Sequence, residues 1–206
     1  MEKILKLNLK ANENIIIAKK EKLVALELKK LAKNLLKKAK TRKAFVEKEN
    51  KLAQVRKELV EKNDRVLENM IKSKEILKFP EEAIKNEEEF IEYHNKAAEN
   101  QLKLAKNHRD IASLEEELAK RKIDLANSKI KTADIRIRIG RLQLKYLSTV
   151  EKKSPDKAML VKASYKQKIK DLNNQLRDLR EKEKEVRMIQ DSIANLTSKL
   201  SQIMVK

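Results

Sequence analysis

Apolar residues recur every seven positions along most of the chain, a pattern typical of long helices that pack side by side. In residues 1–79 the most regular column holds large side chains and only Lys38 interrupts it; its members are Ile17, Val24, Leu31, Phe45, Leu52, Leu59 and Val66. A second column, four residues further on, is apolar at both ends and polar in its middle. The pattern predicts a first helix over about residues 1–78, with the column of large residues as its packing seam.

A second helix is predicted over about residues 81–153. Pro80 ends the first pattern, and Glu81 and Glu82 suit the positive end of a new helix dipole. We therefore expect a tight reversal at residues 78–80. Several apolar columns run side by side in the second half of this helix, so we expect that half to contact two neighbouring helices. These columns contain Leu118, Leu125, Ile139, Ile123, Ile130, Ile137 and Leu144.

Residues 135–147 alternate between apolar and polar positions, which taken alone indicates a strand. We expect this stretch to be helical, because a lone strand has nothing to pair with in such a chain. Gly140 interrupts the stretch and is a candidate for a bend.

Ser154, Pro155 and Asp156 form the clearest helix start in the chain, with a capping serine, a proline at the first helical position and an acid in the first turn. They predict a third helix over about residues 155–205, whose unbroken column is Leu172, Leu179, Val186, Ile193 and Leu200. The expected fold is all-α: three long antiparallel helices in one elongated coiled-coil bundle, a single domain over residues 1–206. The seams are incomplete in one copy, which predicts a homodimer or a higher assembly.

The composition excludes several classes of protein. One glycine, two prolines and no cysteine argue against sheet-rich, disulfide-rich and glycine-loop nucleotide-binding folds. His94 and His108 lie about 21 Å apart along one helix, so they cannot share a metal ion. We expect no enzyme activity, no cofactor and no metal. No stretch is apolar for long enough to be a signal peptide or a membrane span, so we expect a soluble, cytoplasmic protein.

The net charge of +19 is unevenly distributed. Residues 1–60 carry a net charge of +11 and residues 120–170 carry +12, whereas residues 81–119 carry −6. Folding the chain at residue 80 places position n beside about 160 − n, which brings both basic stretches to one end. A polyanion is the expected partner of that end. The candidate binding residues are Lys29, Lys30, Lys33, Lys37, Lys40, Arg42, Lys43, Arg136, Arg138, Arg141, Lys145, Lys152, Lys153, Lys157, Lys162 and Lys166.

The region Leu142–Tyr165 resembles the second turn of eisosome-type BAR proteins. The similarity lies in Leu144-Lys-Tyr-Leu147, then Ser154-Pro155, then a helix with Leu160, Ala163 and Tyr165. With three long helices and a basic arm, the chain resembles the BAR-domain superfamily over most of its length. The resemblance implies a dimeric scaffold that presses basic residues around this turn against anionic membrane lipids.

Three functions remain open from the sequence. The leading hypothesis is a non-enzymatic scaffold, peripheral to a membrane, that binds and curves anionic bilayers. The alternatives are a structural coiled-coil component whose charge matches an acidic protein neighbour, and a nucleic-acid or ribonucleoprotein clamp. Tyr146 and Tyr165 flank the basic turn and are candidate interfacial anchors. Ser154, followed by a proline, is a candidate phosphorylation site that would weaken polyanion binding.

Overall fold

The computed structural model describes residues 2–73, 81–152 and 154–204. These residues form three helices, α1 (Glu2–Lys72), α2 (Glu81–Glu151) and α3 (Pro155–Met204), and no strand. The prediction of an all-α fold with three long helices is thereby confirmed. The predicted reversal at residues 78–80, the predicted end of the first helix at residue 78, and Lys153 lie outside the described residues.

In the turn between α2 and α3, the backbone of Ser154 forms one hydrogen bond to each helix. Its N–H donates to the carbonyl oxygen of Thr149 at 3.1 Å, and its carbonyl oxygen accepts from the N–H of Ala158 at 3.0 Å. Pro155 is the first helical residue, where a missing N–H costs no hydrogen bond. The predicted start of the third helix is confirmed.

The contacts divide the chain into two compact units. The first unit contains residues 1–37 and 116–191, and the second contains residues 38–115 and 192–206. All three helices contribute residues to both units, so the prediction of a single domain stays a prediction.

Ion pairs show the antiparallel register of α1 and α2 within each unit. In the first unit, Arg136 Nη1 donates to both carboxylate oxygens of Glu21 at 2.6 Å. In the second unit, Arg42 Nη1 donates to Glu115 Oε1 at 2.6 Å. The residue numbers of each pair, 21 with 136 and 42 with 115, sum to 157, close to the predicted value of about 160. The prediction assumed symmetry about Pro80, whereas contacts along the helices fix the actual register.

A column of small residues is the buried face of both helices, and the sequence prediction missed it. On α1, every seventh residue from 11 to 60 is at least 96% buried: Ala11, Ala18, Ala25, Ala32, Ala39, Val46, Ala53 and Val60. On α2, the buried column is Ile84, Ile91, Ala98, Ala105, Ala112, Ala119, Ala126, Ala133, Gly140 and Leu147. Alanine has the highest helix propensity, and its small side chain lets two helix backbones approach closely.

The large residues of the predicted seam of α1 therefore do not pack against α2. Its seven large residues, Ile17, Val24, Leu31, Phe45, Leu52, Leu59 and Val66, are between 53% and 72% exposed. They lie one position before the buried column, and the heptad count alone does not distinguish the two columns. Where alanine occupies the buried column, α2 packs too close to α1 to accommodate large side chains there.

Gly140 shows how close this packing is. A Cβ atom added there would lie 2.5 Å from Ile15 Cγ1 and 3.3 Å from the carbonyl oxygen of Ala11. Helix α2 continues through Gly140, at which the sequence predicted a bend, and the glycine makes room for Ile15. The prediction that residues 135–147 are helical is confirmed.

The second half of α2 also packs against α3 in the first unit, which confirms its two predicted neighbours. Ser128, which is 98% buried, donates from its hydroxyl to Asp178 Oδ2 on α3. Gln175 and Lys182 donate to the same carboxylate oxygen at 3.0 Å and 2.8 Å. This polar cluster fixes the register of α3 along α2, because a shift of α3 would leave the buried hydroxyl of Ser128 without its hydrogen-bond partner.

Candidate polyanion-binding surface

Positive charge is concentrated in the first unit. It carries 31 Lys and Arg residues against 16 Asp and Glu residues, a net charge of +15, whereas the second unit carries 20 against 16, a net charge of +4. The predicted meeting of the two basic stretches holds for residues 1–37, which share a unit with residues 116–191. Residues 38–60, the remainder of the first stretch, belong to the second unit.

Helix α2 presents a basic column on its outer side in the first unit. Lys131, Arg138 and Lys145 follow one another at intervals of seven, Lys152 comes directly after the end of the helix, and all four are exposed. They lie five positions after the alanine column, which places them on the far side of α2 from α1. The exposed Arg141 lies one helical turn from Arg138 on the same side. Three predicted site residues, Arg138, Arg141 and Lys145, thus share one exposed face.

Helices α3 and α1 add further predicted residues to the surface of this unit. On α3, Lys157, Lys162 and Lys166 are exposed, with the last two one turn apart. On α1, the exposed residues are Lys30, Lys33 and Lys37, and Lys29 is half-buried.

Some predicted site residues have other roles or places. The guanidinium of Arg136 binds Glu21, so it holds α2 against α1. Arg42 belongs to the second unit and binds Glu115, and Lys40 and Lys43 belong to the same unit. Lys153 lies outside the described residues. The structure therefore does not bring the whole predicted set together.

The two tyrosines near the turn are half-buried rather than fully exposed. Tyr146 and Tyr165 line an open groove, and the hydroxyl oxygen of Tyr165 accepts a hydrogen bond from Gln143 Nε2 at 3.1 Å. Ser154 is half-buried, and its candidate role as a phosphorylation site stays a prediction.

Three carboxyl groups are held ionised by neighbours. The pKa of Asp178 is lowered, first by the ammonium of Lys182 and then by the hydroxyl of Ser128. The pKa of Asp171 is lowered mainly by a hydrogen bond from Lys168. The pKa of Glu92, in the second unit, is lowered by a hydrogen bond from Lys96. In each case the lysine donates a hydrogen bond to the carboxyl group whose pKa it lowers.

Metal-binding and membrane-spanning features are absent from the described part of the chain. Within residues 2–73, 81–152 and 154–204 there is no cluster of three or more metal-ligating side chains. His94 packs on Phe90, with ring centroids 4.1 Å apart, and His108 Nδ1 lies 3.6 Å from a carboxylate oxygen of Glu49. None of the helices, in these same residues, has an apolar segment that would reach across a bilayer.

The sequence did not identify Lys10 or Gln143 as site residues, although both line the same groove as Lys162 and Lys166. Lys10 lies more than 150 positions from these two lysines along the chain, and only the folding of the three helices brings them to one groove.

Comparison of the chain with protein-family models, with curated proteins and with solved structures finds no match.

Proposed function

We propose that this chain is a helical scaffold that binds anionic membrane surfaces through its first unit. The observation that carries the proposal is the net charge of +15 in this unit, much of it on exposed lysines and arginines. The inner leaflet of a cell membrane has a negative surface potential, and each basic residue near it contributes about 1 kcal/mol of attraction. The resemblance of the α2–α3 turn to BAR proteins points the same way.

The aromatic residues favour a membrane over nucleic acid. Proteins that bind single strands stack bases on exposed aromatic rings. The first unit contains only two aromatic residues, Tyr146 and Tyr165, and both are half-buried. Nucleic acid would therefore be held only by the attraction between its phosphates and the basic residues, because the unit offers no surface on which bases could stack.

Vesicle co-sedimentation with matched charge reversals tests the proposal. The first variant replaces Arg138, Arg141 and Lys145 by Glu, all exposed on one face of α2 in the first unit. The control replaces Lys103, Lys106 and Arg109 by Glu, all exposed on α2 in the second unit. Both variants have the same net charge, so a difference between them reports position.

We expect the wild type and the control to sediment with phosphatidylserine vesicles, and the first variant to remain in the supernatant. Raising the salt to about 1 M shortens the screening length to about 3 Å and should release the wild type. Sedimentation that is equal for the two variants, or absent for the wild type, would refute the proposal. Tighter salt-dependent binding to RNA or DNA than to vesicles would favour a nucleic-acid clamp.

A specific observation also supports self-association, and with it a structural role in an assembly. In the second unit, α1 exposes a row of five large apolar residues over 22 positions: Phe45, Leu52, Val55, Leu59 and Val66. An exposed apolar row of this kind is characteristic of an interaction surface. The low net charge of the unit keeps repulsion between two copies small.

We infer that two copies pair antiparallel along this row. Exposed Lys51 and Glu58 flank it seven positions apart. In an antiparallel pair centred between Leu52 and Val55, Lys51 of each copy lies opposite Glu58 of the other, an arrangement that sets orientation in coiled coils. A parallel pair aligned in register lacks this attraction.

Sedimentation velocity measurements test the pairing. Leu52→Glu should give a monomer, whereas Leu23→Glu, at a similarly exposed site on α1 in the first unit, should leave the dimer intact. Lys51→Glu should weaken the dimer, and adding Glu58→Lys should restore it. A wild-type chain that is monomeric at high concentration, or a dimer indifferent to Leu52→Glu, would contradict the inference.

A further inference from the structure

An open groove lies in the first unit where the beginning of α1, the end of α2 and the beginning of α3 meet. Its volume is about 440 Å³, within the usual range for small-molecule sites. The buried side chains of Ala11 and Leu147 line it, together with the half-exposed Leu7. The groove therefore offers hydrocarbon contact over part of its surface.

Three lysines line the groove beside this apolar surface. Lys10 of α1 and Lys162 and Lys166 of α3 line the groove, and all three are exposed. None of the described lining residues is acidic, and within the described part of the chain none of the three lysines forms an ion pair. Positive charge beside a low-dielectric wall attracts an anion more strongly than it would on an open surface.

Tyr165 adds a directed hydrogen-bond donor. Its hydroxyl oxygen accepts from Gln143 Nε2 at 3.1 Å, which leaves its own proton to be donated to a ligand oxygen. The groove thus combines one neutral donor and three cationic donors with an apolar surface. That combination matches a ligand that has an anionic oxygen-rich group next to a hydrocarbon chain.

The surroundings of the groove favour a lipid that is still in a bilayer. Exposed Val150 follows Leu147 by one helical turn, and exposed Met159 precedes Lys162 by one turn. Large apolar side chains therefore continue beyond the groove at the α2–α3 turn. A soluble anion would gain nothing from this apolar extension, whereas an acyl chain would.

We propose that this groove binds one anionic phospholipid, with its phosphate on Lys10, Lys162 and Lys166 and the start of an acyl chain on Leu7 and Leu147. The proposal rests on the proposed membrane function and adds to it a site of defined stoichiometry. General electrostatic attachment would hold many lipids loosely, whereas the groove selects one molecule by its phosphate and its chain together.

Calorimetric titration of the full chain with dispersed short-chain lipids tests the site separately from membrane attachment. The probes are dihexanoyl phosphatidic acid, dihexanoyl phosphatidylcholine and inorganic phosphate, each below any micelle-forming concentration. We expect one phosphatidic acid per chain. Phosphatidylcholine, which has no net charge, and inorganic phosphate, which has no acyl chain, should each bind at least about tenfold more weakly, a difference of about 1.4 kcal/mol.

A substitution that fills the groove without changing charge is the decisive variant. Leu7→Trp places a large ring in the groove, and Leu26→Trp places the same ring at an equally exposed α1 position that does not line it. We expect Leu7→Trp to abolish binding of dihexanoyl phosphatidic acid and Leu26→Trp to preserve it. Circular dichroism verifies that both variants fold.

The outcomes separate the two proposals. Loss of phosphatidic acid binding in Leu7→Trp with normal sedimentation on anionic vesicles supports the groove. Wild-type protein that sediments with vesicles but binds no dispersed phosphatidic acid overturns the groove alone. Equal affinity for inorganic phosphate, or binding indifferent to Leu7→Trp, also overturns it. Failure to sediment at all refutes the membrane function itself.

Discussion

The contact between Gly140 and Ile15 permits a quantitative test of how closely α1 and α2 pack. Replacing glycine by alanine inside an exposed helix stabilises it by about 1 kcal/mol, because alanine loses less backbone entropy. At Gly140 the added Cβ would stand 2.5 Å from Ile15 Cγ1, about 1 Å inside the ordinary distance between carbon atoms. Overpacking of this kind costs about 1–3 kcal/mol.

Gly140→Ala should therefore lower the free energy of unfolding by up to about 2 kcal/mol, the overpacking cost less the gain in propensity. The carbonyl oxygen of Ala11, 3.3 Å from the added atom, limits how far the backbone can shift to relieve the strain. Urea denaturation followed by helical circular dichroism measures this difference. Ala163→Gly, at an exposed position of α3, calibrates the propensity term in the same protein.

A double-mutant cycle isolates the contact. In an Ile15→Ala background the obstructing side chain is gone, so Gly140→Ala should stabilise the protein by about 1 kcal/mol. The coupling energy between the two positions should be about 1–3 kcal/mol. If Gly140→Ala stabilises the wild type as much as it stabilises the Ile15→Ala variant, the close approach of the helices is refuted.

Three further results are expected. Because the pKa of Asp178 is lowered, the stabilising contribution of its carboxylate is complete above about pH 4 and is lost as the pH falls through its folded-state pKa. The unfolding temperature of the Asp178→Asn variant should therefore decline less steeply in acid than that of the wild type. Asp171→Asn, whose partners lie on its own helix, should leave the α2–α3 contact intact and serves as the control. Ala25→Leu should destabilise the first unit by about 1–3 kcal/mol through overpacking, whereas Leu31→Ala, at an exposed site, should leave the unfolding of the isolated chain within about 0.5 kcal/mol of wild type. Ser154→Glu, which adds negative charge at the α2–α3 turn, should reduce sedimentation with phosphatidylserine vesicles, and equal sedimentation would refute the regulatory role of this serine.

Much of the fold followed from local signals in the sequence. Pro155 marks the first residue of α3 because its ring suits that position and few others. The helical assignment of residues 135–147 held despite their alternation, because Ile137 and Ile139 are both buried in a helix that has two neighbours. Signals of this kind depend on residues close together in the chain.

The packing seam of α1 was not predictable by the same means. Large apolar residues dominate a hydrophobicity pattern, so the column through Leu31 outweighed the alanine column through Ala32. Which column is buried depends on the distance between the helices, a tertiary property. Ala32 is buried and Leu31 is 58% exposed, one position apart.

The candidate surface was predictable as a region but not residue by residue. The charge count placed the basic stretches together, and the first unit collects most of the net charge. Arg136 and Arg138 are indistinguishable in sequence, yet one binds Glu21 and the other faces solvent. The two arginines point to different sides of α2 because they are two positions apart in the helix, and the register of α1 against α2 places Glu21 beside Arg136.

The paired alanine columns also constrain how the lengths of α1 and α2 can change. Inserting one residue into α1 rotates everything beyond it by about 100°, which carries bulky side chains into positions where alanine lets α1 and α2 pack closely. Insertions or deletions of seven residues restore the rotation, and matching them in both helices keeps Glu21 and Arg136 aligned. Related chains should therefore differ in helix length by whole heptads. Each heptad gained or lost in α1 should be matched by one gained or lost in α2.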